Sequence, residues 1–355
     1  MDNASRCPPL AHRSAAAHKL HSAQATILQI RESQNHISGT SLSLFLPGGC
    51  PSYRDHRTRQ AVDDSSIICR ELDLDHPRMT QLYGFDAYSP QEIADKVETV
   101  GVAKARLPLP AMVMLGVLAG GFIGLGALYF TLVTSDASLP FAASRVLGGV
   151  AFSMGLILVV VAGAELFTGN NLLVMAWADR KITTIEMLRN WTVVYVTNAI
   201  GAAGLAVVVY LSQHPEMAGG AIGQQAVKIA AAKAGLPFVE AFFKGVLCNV
   251  LVCLAVWLAM AGRSVTDKVL AIVFPISAFV AAGFEHSVAN MYFLALGWML
   301  QDEFVAEAAS PLNWGGILGN LVPVTLGNVA GGSLMVALVY YLIYRRPYRP
   351  SAPKD

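Results

Sequence analysis

Beyond about residue 108, long apolar runs alternate with short polar connections. Six runs stand out, approximately Leu109–Val133, Val146–Trp177, Trp191–Leu211, Val239–Ala261, Val269–Leu300 and Leu321–Tyr344. A helix that crosses a bilayer needs about 20 apolar residues, in a range of roughly 17–25. The pattern therefore predicts an all-α membrane protein with six transmembrane helices. The second and fifth runs are about 32 residues each, too long for one crossing. Each also carries polar residues near its middle, Glu165-Leu166-Phe167-Thr168-Gly169-Asn170-Asn171 and Gly283-Phe284-Glu285-His286-Ser287. Excess length with a polar, glycine-containing interruption predicts a helix broken inside the membrane. Irregular backbone survives there only where protein or a water-filled cavity satisfies its polar groups. A solute pathway is expected at these two breaks.

Residues 1–78 read differently. They hold many Ser, Arg and Asp, six of the eight histidines, and no apolar stretch long enough to cross a bilayer. The run Leu42–Leu46 is too brief and too far in for a signal-peptide core, and disorder is the expectation. Met79, directly ahead of sequence that looks ordered, is expected to be the natural start; a regulatory tail is the alternative. Residues 79–107 form an amphipathic N-terminal segment. Within it, Ser89-Pro90-Gln91-Glu92 is a capping box with proline at the first helical position. Ile93, Val97 and Val100 recur at helical spacing, with Glu92, Asp95, Lys96 and Glu98 on other faces. That predicts a short helix lying on the membrane or against the protein. Residues 108–346 make the six-helix domain and 347–355 a cytoplasmic tail.

Composition agrees with this division. Apolar residues make up 54% and charged residues 14%, with a mean hydropathy of +0.50, against roughly 45–50% and 25% in soluble domains. The 31 glycines and 17 prolines would disrupt a soluble helical protein, whereas membrane helices tolerate both. A net charge of +1 gives no case for nucleic acid. Five cysteines without metal spacing read as free thiols. No P-loop, zinc-protease motif, Gly-x-Ser-x-Gly or CxxC is present, so ATP-driven transport and catalysis find no support, and no cofactor or metal is expected. The paired Asn-Pro-Ala signature of water and glycerol channels is also missing.

Positive residues set the orientation. Lys104, Arg106, Arg180, Lys181, Arg189, Arg263, Lys268, Arg345, Arg346 and Arg349 fall on one side of the six predicted spans. The other side has Arg145, Lys228 and Lys233, and a last loop with Asp302, Glu303 and Glu307. The positive-inside rule then places both termini in the cytoplasm.

The chain also repeats itself. Gly116-Val117-Leu118 recurs as Gly245-Val246-Leu247, and Glu165 with Asn170 recurs as Glu285 with Asn290. Asn190, Asn198 and Gly201 recur at the same spacing as Asn320, Asn328 and Gly331. Three spans per half, an odd number, mean that the second half enters from the opposite side. This predicts a three-plus-three inverted repeat, with a site near the midplane between the paired broken helices.

His286 is the only histidine within an apolar run. It reads either as a satisfied hydrogen-bonding residue of a helix interface or as a pathway group. Its place in the break of a repeated element favours the pathway, since ionisable groups at membrane depth usually mark one. Glu165 and Glu285 read as hydrogen-bonding partners for unwound backbone before they read as a proton relay. Thr168, Asn171 and Asn328 offer uncharged donors for a small anion or, for the repeated pair Asn198 and Asn328 above all, interhelical hydrogen bonds. Lys244, four residues after Glu240, reads as half of a helical ion pair. Lys233, in a loop just before Gly235 and Pro237, reads on its own as a solvated surface lysine.

Taken together, several blocks resemble the formate–nitrite transporter family, most of all its formate branch. They are Ala164-Glu165-Leu166-Phe167-Thr168-Gly169-Asn170, Gly283-Phe284-Glu285-His286-Ser287-Val288-Ala289-Asn290-Met291 and Asn320-Leu321-Val322-Pro323-Val324-Thr325-Leu326-Gly327-Asn328. Leu247-Cys248-Asn249 with Cys253-Leu254-Ala255-Val256-Trp257, and the approach Asp86-Ala87-Tyr88-Ser89-Pro90 through Lys104-Ala105-Arg106, match as well. The resemblance covers about residues 80–346. It implies an aquaporin-like six-helix fold, a homopentamer in the inner (cytoplasmic) membrane, and one pore per protomer for small monovalent anions. By the same resemblance His286 is the central pore histidine and Thr168 the threonine of the loop that breaks the second helix. Lys233 becomes the vestibule lysine that attracts anions, replacing its reading as a surface residue. Leu156, Leu166 and Phe279 fall at the apolar constrictions, Asn171 lies near the pore, and the helix after Ser89 corresponds to a cytoplasmic pH gate.

Magnitudes then suggest a mechanism. An unpaired anion in a dry constriction costs tens of kcal/mol by idealised estimates. An acid with an Asp-like pKa of about 4 needs only about 4 kcal/mol to be neutral at pH 7. Neutralisation is therefore expected, with Lys233 collecting the anion and His286 or its bound water supplying a proton. In a competing version the substrate stays charged and His286 only gates. Formate is the leading substrate. Nitrite is the runner-up, with hydrosulfide, acetate and lactate behind; a neutral-solute channel is the alternative from another class.

Overall fold

A computed structural model of the chain describes residues 87–304 and 312–345. The expectations for residues 1–78, for Met79 and for the tail 347–355 lie outside the described residues. Among the described residues the chain is helical throughout, with no strand.

The first helix, α1 (Pro90–Ala105), starts where the sequence places it: the Ser89 side chain and Glu92 form the reciprocal capping box, with proline in the first turn. Among the described residues, five stretches are long and apolar enough to cross a membrane. These are α2 (Leu109–Thr134), α3 (Phe141–Ala162), α5 (Thr184–Leu211), α7 (Phe238–Ala261) and the continuous run Trp314–Tyr344. That last run comprises α10 (Trp314–Val329), a π-helical stretch (Ala330–Leu338) and α11 (Val339–Tyr344). Shorter helices complete the chain: α4 (Val174–Ala178), α6 (Ala221–Ala234), α8 (Val265–Ala281) and α9 (Ser287–Leu300).

The second apolar run is thus α3, an irregular segment, a 3₁₀ turn at Gly169–Leu173 and α4; the fifth is α8, a short turn and α9. Both helices end in the same way. Gly163 has φ +82° and Gly283 φ +75°, a left-handed conformation that glycine adopts without a Cβ penalty. The next amide then reaches back across the last turn, Ala164 N to Val159 O at 2.9 Å and Phe284 N to Phe279 O at 3.0 Å.

Packing follows a matching plan. Helix α2 lies against α3 and α5, α7 lies against α8 and α10, and α3 packs on α8. Without a hydrophobic force between helices in lipid, close approach has to come from small residues. Gly201 of α5 supplies it: a Cβ there would stand 2.0 Å from the Val117 carbonyl oxygen of α2. Gly331, beyond α10, does the same with the Val246 carbonyl oxygen of α7, at 2.2 Å.

Helix α1 docks its apolar face, Ile93, Ala94 and Val97, on a cluster that includes Leu173, Met175, Ala176 and Trp257. Burying each large aliphatic side chain contributes about 1.5–3 kcal/mol. Polar groups fix the docking. Tyr88 N donates to Ala261 O at 3.1 Å, and Lys96 Nζ donates to Met260 O at 3.2 Å. Glu98, 1% exposed, pairs with Lys181 at 2.5 Å and with Arg345 at 2.6 Å. Arg345 also reaches Asp95. The one buried Glu98 side chain thus links α1 to the loop after α4 and to the end of α11.

Candidate functional site

Both irregular segments are held by an asparagine from a neighbouring helix. Asn198 donates to Glu165 O at 2.9 Å and accepts from Phe167 N at 2.9 Å. Asn328 donates to Glu285 O at 3.0 Å and accepts from Ser287 N at 2.9 Å. Each also donates to an opposing helix, at Gly116 O and Gly245 O, both 2.8 Å away. The unwound backbone is therefore satisfied by Asn198 and Asn328, and the glutamates expected in that role do something else.

Glu285 pairs with Lys233 at 2.9 Å, and its other oxygen accepts from Asn290 Nδ2 at 2.6 Å. Asn290 also donates to Asn320 Oδ1 at 2.7 Å, and Asn320 donates to Lys233 O at 3.0 Å. A second set has the same composition. Glu165 pairs with Lys104 at 2.6 Å and accepts from Asn170 at 2.7 Å. Asn170 donates to Asn190 at 2.9 Å, and Asn190 donates to Lys104 O at 3.1 Å. Sequence reasoning did not name Lys104 as a site residue; there it oriented the chain and formed part of the matching approach Lys104-Ala105-Arg106. The signal was present: Lys104 and Lys233 are separated by the same number of residues as Gly116 and Gly245.

Each set borders a cavity. The Lys233 cavity, of about 240 Å³, is lined by Glu285, His286, Phe279, Phe152, Arg145 and Lys244 among others. The Lys104 cavity, of about 280 Å³, is lined by Glu165, Asn170, Leu156 and Leu166 among others. Helix α3 runs past both, with Arg145 and Phe152 at the first and Leu156 through Gly163 at the second. From Arg145 to Gly163 an α-helix rises about 27 Å, close to the roughly 30 Å of a bilayer's hydrocarbon core.

His286 lines the Lys233 cavity, and Leu166 and Gly169, on either side of Thr168 in the chain, line the Lys104 cavity. Thr168 is fully buried and His286 is 3% exposed. The imidazole Nε2 lies 2.9 Å from the Thr168 hydroxyl, so the two irregular segments touch through this pair. His286 also caps α9, its Nδ1 accepting from Ala289 N at 3.1 Å. An Nδ1 that accepts leaves the proton of a neutral imidazole on Nε2, directed at Thr168. Phe279 stacks near the ring, with centroids 6.0 Å apart, and meets Phe152 edge-on at 5.7 Å.

The remaining expected residues are placed as follows. Leu156 and Leu166 are each 2% exposed at the Lys104 cavity, and Phe279 is 2% exposed at the other. Asn171 donates to Phe167 O and accepts from Asn249, while Asn249 also donates to Thr168 O at 3.3 Å. Asn171 therefore braces the Thr168 turn through Asn249. Lys244 and Glu240 form the expected helical pair at 2.7 Å.

A helical chain with several apolar spans and two cavities, each lined by a lysine–glutamate pair, is built as a membrane transport protein. Comparison with known proteins narrows this. Residues 91–342 match the model of a family described as formate/nitrite transporter. Formate channel FocA of Escherichia coli K12 is 40% identical over 275 residues, covering 74% of this chain and 96% of that protein. A probable formate transporter of Methanothermobacter thermautotrophicus is 37% identical over 275 residues, covering 72% and 97%. A solved structure described as a pentameric formate channel with formate bound is 36% identical. It superposes with a TM-score of 0.60 over 66% of this chain and 97% of that one. The chain belongs to the formate/nitrite transporter family.

Proposed function

We propose that this protein is a transmembrane channel or transporter for formate, moving the acid passively or coupled to a proton. The observation that carries the reading is the His286–Thr168 contact at 2.9 Å, which joins the irregular segment lining one lysine-bearing cavity to the segment lining the other.

In this reading the chain is a three-plus-three inverted repeat of six spans. The α3–α4 and α8–α9 junctions are breaks within the membrane. The matched Lys–Glu–Asn–Asn sets and the glycine-terminated helices support it, as does the general use of paired discontinuous helices for midplane sites. Lys233 faces outward and both termini lie in the cytoplasm, in the inner membrane, in line with the positive-inside distribution. Exposed apolar residues such as Ile185 (79%), Phe274 (73%) and Phe141 (82%) meet lipid or neighbouring copies of the chain in a homopentamer.

Formate collects in the outer vestibule beside Lys233 and Glu285. Carrying the charge past Phe279, Leu156 and Leu166 costs tens of kcal/mol by idealised estimates, against about 4 kcal/mol for neutralising an acid with an Asp-like pKa at pH 7. The acid therefore crosses neutral. Of the two proton sources expected from sequence, water at the histidine, relaying a proton in from the outer solution so that no hydroxide is left behind, fits better than the ring itself. Protonating Nδ1 would break the bond from Ala289 N and set a positive charge at a helix N-terminus, where the macrodipole opposes it. The Nε2–H and the Thr168 hydroxyl serve the neutral acid as hydrogen-bonding groups in the narrow part. Asn171 and Asn249 keep the Thr168 turn in place.

The test is proton co-movement. Proteoliposomes carrying an internal pH dye and given an inward formate gradient should acidify inside. His286→Phe with full proton-coupled uptake would sink this version.

A further inference from the structure

The two Lys–Glu–Asn–Asn sets give a register for comparing the two cavities residue by residue. Glu165 N donates to Leu115 O at 3.2 Å and Glu285 N donates to Lys244 O at 3.3 Å, so Leu115 answers Lys244. Counting back the same number of residues from each glutamate, Arg145 answers Val265. The cavities thus share a lysine and a glutamate but differ in these two further positions.

That difference leaves them unequally charged. Lys233 and Glu285 pair at 2.9 Å, and Lys244 and Glu240 at 2.7 Å, so both pairs are neutral overall. Arg145 forms no ion pair with a carboxylate among the described residues. Its Nη2 donates to Val280 O at 2.5 Å and its Nε to Ala281 O at 3.1 Å, and the guanidinium sits 5.5 Å from the Phe130 ring centre. The C-terminal end of α8 offsets only about half a unit of charge. A positive remainder faces the cavity that holds His286. At the other cavity the charged lining residues are Lys104 and Glu165, themselves paired at 2.6 Å.

We infer that Arg145 gives the Lys233 mouth its net positive charge and captures the small monovalent anion there, while the described residues of the Lys104 mouth include no equivalent. The inference rests on the anion-transport reading of the same site. Charge in a cleft with low-dielectric walls focuses the field and raises the local concentration of the counter-ion. Capture of this kind shows in affinity and salt dependence, whereas a residue that merely caps α8 would show in assembly and maximal rate.

The experiment uses the full chain in oriented membrane vesicles, with labelled formate at constant pH and varied ionic strength. Arg145→Gln should raise KM about three- to tenfold, keep Vmax within about twofold, and flatten the salt dependence of uptake at low formate. Arg145→Lys should restore both. Ala232→Glu adds a carboxylate to an exposed position of the same cavity and leaves the carbonyl bonds of Arg145 in place; it should reproduce the KM rise. Benzenesulfonate should compete with formate from the Lys233 side of the wild type only. Unchanged KM and salt slope in Arg145→Gln and Ala232→Glu would overturn the inference, and Ala232→Glu decides alone if Arg145→Gln does not assemble. A wild type that moves no small monovalent anion would instead overturn the transport reading beneath it.

Discussion

His286 and Thr168, 118 residues apart in the chain, meet at 2.9 Å through Nε2 and Oγ1. His286 simultaneously accepts a hydrogen bond from Ala289 N at 3.1 Å, so in the proposed reading one side chain adds a transport duty to a structural one. Substitutions can separate the two. His286→Asn retains a side-chain oxygen able to cap α9, whereas His286→Phe also forfeits the cap, worth about 1 kcal/mol. Both should lose the pH dependence of formate flux, and only His286→Phe should lower thermal stability measured in detergent.

The Lys233–Glu285 pair is more enclosed than Lys104–Glu165, with lysine side chains 14% and 26% exposed respectively. Removing one partner of a buried pair costs about 3–5 kcal/mol, and replacing both by apolar groups costs much less. Glu285→Gln should therefore destabilise the protein more than Glu165→Gln. The double variant Lys233→Met with Glu285→Met should regain part of the loss in thermal melts.

Close approach at Gly201 leaves no room for a methyl group beside Val117 O, while a Cβ added to Gly204 on the same helix would meet nothing within 4 Å. Overpacking of this kind costs about 1–3 kcal/mol. Gly201→Ala should lower the melting temperature and Gly204→Ala should not; equal effects would contradict the close packing of α2 on α5.

Glu98 lies outside the membrane spans, and burial, then the neighbouring Asp179 carboxylate, hold its pKa above the usual 4.5, against the pull of Lys181 and Arg345. Docked Glu98 thus binds a proton that the undocked helix has already released. Its contribution to docking is greatest below pH 4.5 and is lost as pH rises through the raised value. Asp179 is shifted the other way, below 3.8, so its contribution is lost only at lower pH. The protection of α1 against hydrogen exchange, taken relative to the intrinsic exchange rate at each pH, should accordingly fall as pH rises through that raised value, and Glu98→Gln should flatten the response.

The spans, the capping box at Ser89 and the polar interruptions were legible because hydropathy, cap chemistry and glycine act locally. The asparagine braces were half-legible. Asn198 and Asn328 stood out as a repeated pair, but which backbone they hold depends on helices far away in sequence. Backbone-bracing was assigned to Glu165 and Glu285 for the same reason, since nothing local shows that a lysine arrives from a distant segment. Arg145 and Lys104 went unread as site residues because a basic residue near a span end has an ordinary meaning, that of setting orientation. Only the cavities give them another.

Uptake of labelled formate into proteoliposomes at several external pH values, with nitrite as competitor, tests the neutral-acid account most directly. The account predicts saturable uptake that rises as the outside is acidified, with weak competition by nitrite and loss of the pH response in His286→Phe. Uptake indifferent to external pH would contradict it.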